Sequence, residues 1–392
     1  MKKKLLFVIP SLDAGGAEKS LVNLLNTIDE TRFSVDLFLF SHKGLFLSQI
    51  PAYVNILPKN KEIEIFQKPL IASVLKFLQK GKLFSAIRRI QFFLTNKKIK
   101  NSSLAEQFSW KFIEKSFEPI NKEYDAAIGF LEKSSIYFTV DKVQAKKKIG
   151  IIHTYYSKLN MNIEFEKKYF SYLYHIAMVS HECLEDLKSL FPDFSEKMLI
   201  LHNIVSSSLI KNLSQKESEI LKPNSIISIG RLVELKGFDI AVNAAEILKK
   251  NNIDFHWYII GEGTERHNLE TMIHQKNLQG YVTLLGLKEN PYPYIRQAKI
   301  FVQPSKYEGK SIAIDEAKIL SKPIVLTNFD TAKDQIENNF NGLICAMTPD
   351  SVAENILKYI KNQEFTNEII ANLQSENFGT EAEIEKFYKI IG

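Results

Sequence analysis

Two cations follow a short apolar run in the second half of the chain, within a loop that contains glycines. Arg231 comes directly after the predicted strand Ile226–Ile229 and Gly230, and Lys236 follows one short loop later, next to Gly237. Two cations at the carboxyl end of a strand can neutralise a diphosphate, both when it binds and when it leaves with growing negative charge. The alternative is that both side chains lie on a solvated loop without a ligand.

A pair of glutamates follows the predicted strand Ile300–Gln303. Glu308 lies in a loop before Gly309, and Ser311 is placed to cap a helix that carries Glu316 in its second turn. Because a carboxylate accepts paired hydrogen bonds from neighbouring hydroxyls, two carboxylates at this separation can hold a hexose and a ribose at opposite ends of one nucleotide-sugar. The N–H groups at the start of the helix would then face the diphosphate. The alternative is a pair of surface glutamates on an ordinary helix.

A turn near the N-terminus also has the composition of an anion site. Gly15 and Gly16 stand between the predicted strand Leu5–Ile9 and a predicted helix. Two glycines at a strand-to-helix turn let the backbone approach an anion and direct helix N–H groups towards it. A plain glycine turn, with Glu18 favouring the helix dipole, is the alternative.

The strands and helices that position these residues are predicted to alternate along the chain. Short apolar runs alternate with helical patterns, which predicts parallel sheets covered by helices. The predicted fold class is α/β, with two doubly wound Rossmann-like domains facing one another across a cleft at the carboxyl ends of both sheets. The predicted strands are Leu5–Ile9, Val35–Phe40, Val54–Leu57, Ala126–Phe130, Lys148–His153, Ile176–Ser180, Leu199–His202, Ile226–Ile229, Trp257–Ile260, Val282–Leu285, Ile300–Gln303, Ile324–Leu326 and Leu343–Cys345.

The domain boundaries follow from where this alternation lapses. A chain of 392 residues is long enough for two domains. We predict an N-terminal domain over 1–205 with a basic helical insertion at about 62–118, a linker over 206–223, and a C-terminal domain over 224–375. A final helix is expected over 376–392, and whether it packs back on the N-terminal domain is left open.

Taken in this order, the motifs resemble those of the retaining glycosyltransferases of family 4, which have the GT-B fold. The resemblance covers nearly the whole chain, is strongest from about 225 to 345, and is closest to members that assemble bacterial capsules, exopolysaccharides and lipopolysaccharides. It rests on Gly15-Gly16-Ala17-Glu18, on Gly230-Arg231 with Lys236-Gly237, and on Glu308 and Glu316 followed by Lys322-Pro323.

This resemblance implies a role for each matching residue. It implies that the C-terminal domain holds the donor and the N-terminal domain the acceptor. Lys310 departs from the family pattern, in which an aromatic or aliphatic residue is common, and leaves the identity of the donor open. The implied catalytic residues are Arg231, Lys236, Glu308 and His153, the last near the transferred sugar. The implied donor contacts are Gly15, Gly16, Gly286, Leu287, Gly309, Lys310, Ser311, Ile312 and Glu316, with Glu316 on the ribose and 286–288 at the base.

The function implied by the resemblance is a retaining transfer of a hexose or N-acetylhexosamine from a nucleotide diphosphate sugar to a glycan or lipid-linked acceptor of a cell-surface polysaccharide. A UDP-sugar is the favoured donor. No cofactor or metal is expected, and the sequence contains no Asp-x-Asp triplet. The alternatives are a nucleotide-sugar epimerase or hydrolase on the same fold, a dinucleotide-dependent dehydrogenase suggested by Gly261-Glu262-Gly263, and a catalytically inactive, membrane-recruited adaptor.

The composition bears on location and partners. Hydrophobic residues make up 45% of the chain and charged residues 24%, which is typical of a globular protein. The two cysteines, Cys183 and Cys345, favour the reducing cytoplasm. The apolar run Leu5–Ile9 is shorter than the apolar core of a signal peptide, and no apolar stretch is long enough to span a bilayer. Nucleic acid is not an expected partner.

Residues 75–100 combine basic and apolar side chains at helical spacing. Such a segment is suited to an anionic membrane surface, here the cytoplasmic face of the inner membrane. The alternative is two ordinary helices whose apolar faces pack on the domain and whose lysines are solvated. The basic residues are Lys76, Lys80, Lys82, Arg88, Arg89, Lys97, Lys98 and Lys100.

Overall fold

A computed structural model describes residues 2–13 and 15–392. The chain divides into two compact α/β units. The first comprises residues 2–13, 17–203 and 382–392, and the second comprises residues 15–16 and 204–381. Each strand predicted from the sequence overlaps an observed strand, which confirms the predicted fold class. No helix among the described residues is both long and apolar enough to cross a membrane.

The first unit contains a parallel sheet whose central strands are buried. Its strands are β1 (Lys3–Ile9), β2 (Phe33–Leu39), β3 (Asn55–Ile56), β4 (Ile120–Gly129), β5 (Val143–Ile152), β6 (His175–Met178) and β7 (Met198–Ile200). They pair in the order β3-β2-β1-β4-β5-β6-β7. Residues Leu5–Ile9 of β1 are fully buried, as expected for a parallel strand covered on both faces.

Helices cover this sheet and supply an insertion. They are α1 (Gly16–Thr27), α2 (Lys61–Phe66), α3 (Leu70–Gln79), α4 (Leu83–Lys98), α5 (Ser102–Ile113), α6 (Ser134–Lys142), α7 (Ile163–Ser171) and α8 (His181–Leu190). Short 3-10 helices lie at Leu47–Gln49, Glu114–Ser116, Ser157–Leu159 and Pro192–Lys197. Helices α2 to α5 form the predicted insertion between β3 and β4.

Buried hydrogen bonds attach the insertion to the rest of the first unit. Gln107 of α5 donates to Glu166 of α7 at 2.7 Å, and the hydroxyls of Tyr137 and Tyr156 donate to the same carboxylate. Asn101 caps α5 by accepting from the Leu104 N–H. A buried carboxylate with several donors costs much less than an unpaired one, so these bonds define the position of α5.

The second unit has the same kind of sheet. Its strands are β8 (Ser225–Ile229), β9 (His256–Ile260), β10 (Val282–Gly286), β11 (Ile300–Gln303), β12 (Ile324–Thr327) and β13 (Leu343–Cys345). They pair in parallel in the order β10-β9-β8-β11-β12-β13, so the strand order reverses between β8 and β11. Ligands of doubly wound sheets bind at the carboxyl ends of the strands next to such a reversal.

The helices of the second unit begin in the segment that the sequence suggested as a linker. Within 206–223 the chain forms a helix whose first turn is capped by Ser206, which accepts from the Leu209 N–H. This helix belongs to the second unit, so the unit starts at 204 rather than 224. The helices are α9 (Ser207–Ser214), α10 (Phe238–Lys250), α11 (Arg266–Gln275), α12 (Tyr292–Gln297), α13 (Ile312–Ile319), α14 (Ala332–Gln335), α15 (Pro349–Lys361) and α16 (Gln363–Ser375), with a 3-10 helix at Glu234–Lys236.

The last helix, α17 (Glu383–Ile391), belongs to the first unit. Its Phe387 ring stacks on Phe7 of β1, with the ring centroids 5.9 Å apart. Tyr388 stacks on Phe33 at 5.1 Å and accepts a hydrogen bond from the Asp29 N–H. Aromatic stacking on the buried sheet therefore attaches the C-terminus to the first unit.

Candidate functional site

The candidate site is built by the loops that follow β8 and β11. These two strands are parallel neighbours, so their carboxyl ends lie at the same edge of the sheet. The loop after β8 carries Arg231 and Lys236, and the loop after β11 carries Glu308. The strand reversal therefore brings together residues that are far apart in sequence.

A very close backbone contact sets the spacing of the two loops. Gly237 has a φ of +63°, and a Cβ at this position would lie 1.9 Å from the Pro304 carbonyl oxygen. The Leu235 carbonyl accepts the Lys306 N–H at 2.8 Å. Only glycine combines this conformation with this approach, so Gly237 is required for the loops to meet.

Lys236 and Glu308 face one another across this contact. The Lys236 ammonium lies 2.5 Å from Glu308 Oε1, and the Glu308 side chain is only 8% exposed. Glu308 Oε1 also accepts from Gln303 Nε2 at 3.0 Å and from the Ser305 hydroxyl at 2.8 Å. Charge-assisted bonds of this kind are short and strong, and they compensate the burial of the carboxylate.

The second oxygen of the Glu308 carboxylate is left for another donor. Lys236, Gln303 and Ser305 all donate to Oε1, and no side chain in the described part of the protein donates to Oε2. A carboxylate can accept on both oxygens. Glu308 can therefore accept a hydrogen bond from a ligand hydroxyl without losing its internal partners.

Helix α13 begins beside Glu308. Ser311 occupies the N-cap position, as predicted, but its side chain makes no capping hydrogen bond. Its backbone N–H instead donates to Gln335 Oε1 at 2.9 Å. Gly309 and Lys310 precede this cap, and Ile312 is the first helical residue. Because the first N–H groups of a helix need acceptors from outside it, this end of α13 can bind an anion.

Lys310, which departs from the family pattern, forms an ion pair with an aspartate of α13. Its ammonium lies 3.7 Å from Asp315 Oδ2, and Lys318 lies 3.1 Å from Asp315 Oδ1. Asp315 is only 3% exposed. Lys310 is therefore partly neutralised within the protein, and the sequence alone gave no sign of this partner.

Glu316 lies in the second turn of α13, as predicted. Its side chain is 1% exposed and accepts a hydrogen bond from the Tyr292 hydroxyl at 3.1 Å. Tyr292 opens α12, so the carboxylate is oriented by a neighbouring helix. Glu316 is thus not one of the surface glutamates that the alternative interpretation required.

Arg231 differs from Lys236 in its surroundings. It is exposed and forms no ion pair with any carboxylate in residues 2–13 and 15–392. Its guanidinium has five N–H donors in a planar group that suits phosphate oxygens. The loop after β8 therefore provides one cation held by Glu308 and one exposed cation.

The Gly261-Glu262-Gly263 segment has a packing role. A Cβ at Gly261 would lie 1.8 Å from the Gly230 carbonyl oxygen, and a Cβ at Gly263 would lie 2.3 Å from that of Leu232. These glycines allow the loop after β9 to press on the loop that carries Arg231. The close contacts account for both glycines without a dinucleotide.

Gly286 and Leu287, predicted to contact the base, lie at the end of β10 and at the start of the loop that follows it. Gly286 has a φ of +71°, and its carbonyl accepts the Gly261 N–H at 3.0 Å. Leu287 is 42% exposed. The end of β10 is therefore joined by a backbone hydrogen bond to the loop after β9.

His153 belongs to the first unit. His153 directly follows β5, and its backbone N–H donates to the Glu132 carboxylate at 3.3 Å. Burial lowers the pKa of His153 to about 3. Its ring Nε2 is buried and has no hydrogen-bond partner among the described residues. The side chain is therefore a neutral imidazole with one unused nitrogen.

Gly15 lies between β1 and α1, and Gly16 is the first residue of α1. A Cβ added at Gly16 would meet no described atom within 4 Å. The fold therefore gives no steric reason for glycine there, unlike at Gly237.

Several residues of the site were not identified from the sequence. Gln303 is a fully buried polar residue at the end of an otherwise apolar strand, and this was the available signal. The other residues gave no comparable signal, because their roles depend on which helices pack together: Tyr292, Ser305, Asp315 and Gln335. In the described chain, no group of three or more His, Cys, Asp or Glu residues is arranged to hold a metal ion.

Comparison with known structures defines the class of the fold. The crystal structure of Anabaena HepE in complex with UDP and glucose matches with a TM-score of 0.69 at 16% identity, covering 99% of this chain and 98% of the other. The chain therefore has the GT-B glycosyltransferase fold. At this identity the likeness concerns the fold alone.

Sequence comparison identifies the domain more closely. Residues 210–376 match the family model of glycosyl transferases group 1. The poly(ribitol-phosphate) alpha-N-acetylglucosaminyltransferase of Staphylococcus aureus is 31% identical over 168 residues, 41% of this chain and 34% of the relative. A Campylobacter jejuni N-acetylgalactosamine-N,N'-diacetylbacillosaminyl-diphospho-undecaprenol 4-alpha-N-acetylgalactosaminyltransferase is 34% identical over 179 residues, 44% of this chain and 47% of the relative.

These matches span less than half the length of either relative. The segment 210–376, which matches the family model, contains the loops after β8 and β11. The GT-B fold that the resemblance implied is confirmed.

Replacing Gly237 with alanine should destabilise the second unit. The new Cβ would clash with the Pro304 carbonyl, so we expect the free energy of unfolding to fall by at least ~2 kcal/mol. Urea unfolding measures this loss. Gly280→Ala is the matched control, because a Cβ at Gly280 meets nothing within 4 Å. Equal stability of the two variants would show that the loop contact is not a constraint.

His153 should stay neutral at mildly acidic pH. Since its folded-state pKa lies well below the ordinary value, it should gain no proton as the pH falls from 8 to 5. NMR of the protein labelled with 13C-histidine measures this, and the His153→Gln variant assigns the resonance. The resonance of the exposed His267, assigned with the His267→Gln variant, is followed in the same spectra as a control. A titration of the His153 resonance with a midpoint near 6.5 would contradict the buried environment.

Proposed function

We propose that this chain is a retaining, metal-independent glycosyltransferase of family 4. It moves a hexose or N-acetylhexosamine from a nucleotide diphosphate sugar to a glycan or lipid-linked acceptor during synthesis of a cell-surface polysaccharide. The observation that carries the proposal is the Lys236–Glu308 pair beside the uncapped start of α13, within a glycosyl transferases group 1 domain.

The cations and the helix start suit the diphosphate of the donor. Lys236 has three N–H donors, of which one goes to Glu308, and Arg231 is exposed. Together with the N–H groups of Gly309, Lys310 and Ile312, these groups would hold the phosphate oxygens and stabilise the charge that grows as the diphosphate leaves. The proposed site needs no metal ion, because two side-chain cations supply the positive charge.

The carboxylates suit the two sugars. Glu308 Oε2 would accept from a hydroxyl of the transferred sugar, since its partners in the protein donate to Oε1. Glu316, oriented by Tyr292, would bind the ribose. Leu287 and the Gly286 backbone would face the base. We assign Gly15, Gly16 and His153 to the donor as well, on the resemblance.

In the proposed reaction the bond between the anomeric carbon and the diphosphate oxygen breaks first, with oxocarbenium character. The acceptor hydroxyl attacks the same face of the sugar, and its proton passes to a phosphate oxygen of the departing nucleotide. A neutral His153 would serve as a hydrogen-bonding group near the sugar rather than as a cation.

The donor and acceptor classes draw support from the relatives. The Anabaena HepE structure holds UDP and glucose, which favours a UDP-sugar. The Staphylococcus and Campylobacter enzymes are named for a polymeric and a lipid-linked acceptor. We place the reaction in the cytoplasm, on the basis of the cysteine content.

Substitution of Arg231 tests the role in leaving-group stabilisation. Arg231→Ala should lower kcat about 100-fold, because a donor aimed at developing charge is lost. Its melting temperature should not change, because Arg231 is exposed. Arg231→Lys should restore part of the activity. Lys250→Ala, at the far end of α10, is the control. Full turnover by Arg231→Ala at saturating donor would remove Arg231 from the mechanism.

A thermal-shift screen tests the donor. A UDP-hexose at about 100 times its Kd should stabilise the protein by roughly 2.7 kcal/mol, and EDTA should not reduce this effect. Lys236→Met should weaken the shift while Glu308 keeps its bonds to Gln303 and Ser305.

Product analysis without acceptor completes this screen. A transferase needs an acceptor, whereas an epimerase or hydrolase would convert the donor alone. Stabilisation by GDP- or ADP-sugars in place of UDP-sugars would refute the donor assignment. A shift that EDTA abolishes would refute metal independence.

A further inference from the structure

Helices α3 and α4 expose apolar side chains that the proposed transferase function does not use. Among the described residues, nine of the large exposed apolar side chains lie between 71 and 94, and eight lie elsewhere in the chain. Single exposed apolar residues are common, but a concentration of them indicates an interaction site. The nine are Ile71, Leu75, Leu78, Leu83, Phe84, Ile87, Ile90, Phe93 and Leu94, and we call them the α3–α4 surface.

The spacing of these residues puts them in stripes. On α3, Ile71, Leu75 and Leu78 follow the i, i+4, i+7 pattern of one helix face. On α4 the same pattern continues, at positions 83, 87, 90 and 94. Each helix therefore presents a continuous apolar stripe to solvent rather than scattered side chains.

The opposite faces of the two helices are already packed. Phe77 of α3 and Ala86 of α4 are buried, in contact with Ile65 and Phe66. Arg89 is also buried: its guanidinium donates to the Phe66 carbonyl at 2.7 Å and to the Lys68 carbonyl at 3.1 Å.

The sequence interpretation counted Arg89 among the basic residues of a segment suited to a membrane, and its alternative was two helices whose apolar faces pack on the domain. Phe77 and Arg89 face inward, and Phe92 is partly buried against them. Ordinary packing on the domain therefore accounts for the inner faces. It does not account for the outer stripes.

The charges around the outer stripes have one sign. Residues 65–105 contain nine Lys and Arg residues and neither Asp nor Glu. Arg89 is used internally, and Lys82 pairs with Glu62. No ion pair within the described chain neutralises the rest, which are Lys68, Lys76, Lys80, Arg88, Lys97, Lys98 and Lys100.

We infer that the α3–α4 surface docks on an anionic lipid bilayer. Apolar stripes flanked by lysines fit the boundary between acyl chains and headgroups, since the side chains bury apolar area while the ammonium groups reach lipid phosphates. A nucleic acid would meet the charges but leave the aliphatic stripes exposed, and a second copy of the chain would bring like charges together. The inference does not rest on the proposed sugar transfer.

Vesicle co-sedimentation of the full-length chain tests the inference. The protein should sediment with phosphatidylcholine vesicles that contain phosphatidylglycerol, and not with phosphatidylcholine alone. The triple variant Leu75→Ser, Phe84→Ser, Ile87→Ser should bind at least about tenfold more weakly. High salt should weaken binding of the wild type.

A charge variant tests the basic side chains separately. Each cation at an anionic surface strengthens binding about fivefold, so removing four should weaken it roughly 600-fold. The four substitutions are Lys76→Gln, Lys80→Gln, Lys97→Gln and Lys98→Gln. The matched control removes four exposed lysines of the second unit: Lys211→Gln, Lys216→Gln, Lys333→Gln and Lys361→Gln. Ile220→Ser, at a position that is 92% exposed, controls for the apolar change.

Several outcomes would overturn the inference. These are a wild-type protein that stays in the supernatant with anionic vesicles, a triple variant that binds as tightly as the wild type, and control variants that lose as much binding. A wild-type dimer that the triple variant converts to a monomer, without vesicle binding, would instead assign the surface to a second copy. All replaced side chains are exposed, so unchanged melting temperatures exclude misfolding as a cause.

Discussion

The close approach of Gly237 to the Pro304 carbonyl is the constraint on which the site depends. It brings the loops after β8 and β11 together at the backbone, where no Cβ fits. Lys236 and Glu308 stand on either side of this contact and meet at 2.5 Å. The ion pair alone would fix the relative position of the two loops only weakly, because a lysine side chain is flexible and loses much conformational entropy when it is held in one geometry. The backbone contact supplies the positioning, and the ion pair compensates the burial of the carboxylate.

Around this contact, most of the charged side chains have partners within the protein. Glu308 is surrounded by three donors, Lys310 and Lys318 share Asp315, and Glu316 accepts from Tyr292. Each of these groups is held by the protein before any ligand arrives, as electrostatic preorganisation requires. Arg231 is the exception, since it is exposed and forms no ion pair among residues 2–13 and 15–392. The loop after β8 thus carries one cation held by Glu308 and one exposed cation.

The sequence predicted the frame of this site well and its inner contacts poorly. Buried parallel strands appear as continuous apolar runs, so β1 to β13 could be located, and with them the loops that carry Lys236 and Glu308. Partners such as Asp315 and Gln335 depend on which helices pack together, and no local pattern reports that. Ser311 shows the limit clearly: its position before α13 was correct, but the capping bond is absent. The segment 206–223 was also read as a linker, because a short helix such as α9 has too few turns to show a clear period.

The insertion shows that residue types alone do not predict which side chains of a helix are exposed. Arg89 and Lys76 lie in the same basic segment. Arg89 is buried and donates a hydrogen bond to the Phe66 carbonyl, whereas Lys76 is exposed. The difference follows from helical phase, because a helix that packs on one side must turn every fourth residue inward. Since the inward positions of α3 and α4 already contain Phe77, Ala86 and Arg89, the outer apolar stripes have no partner within the first unit's own cluster. Apolar residues on both faces of a helix indicate that each face has an apolar environment. The inner face packs on the first unit, and the lysines around the outer face indicate that its environment is anionic.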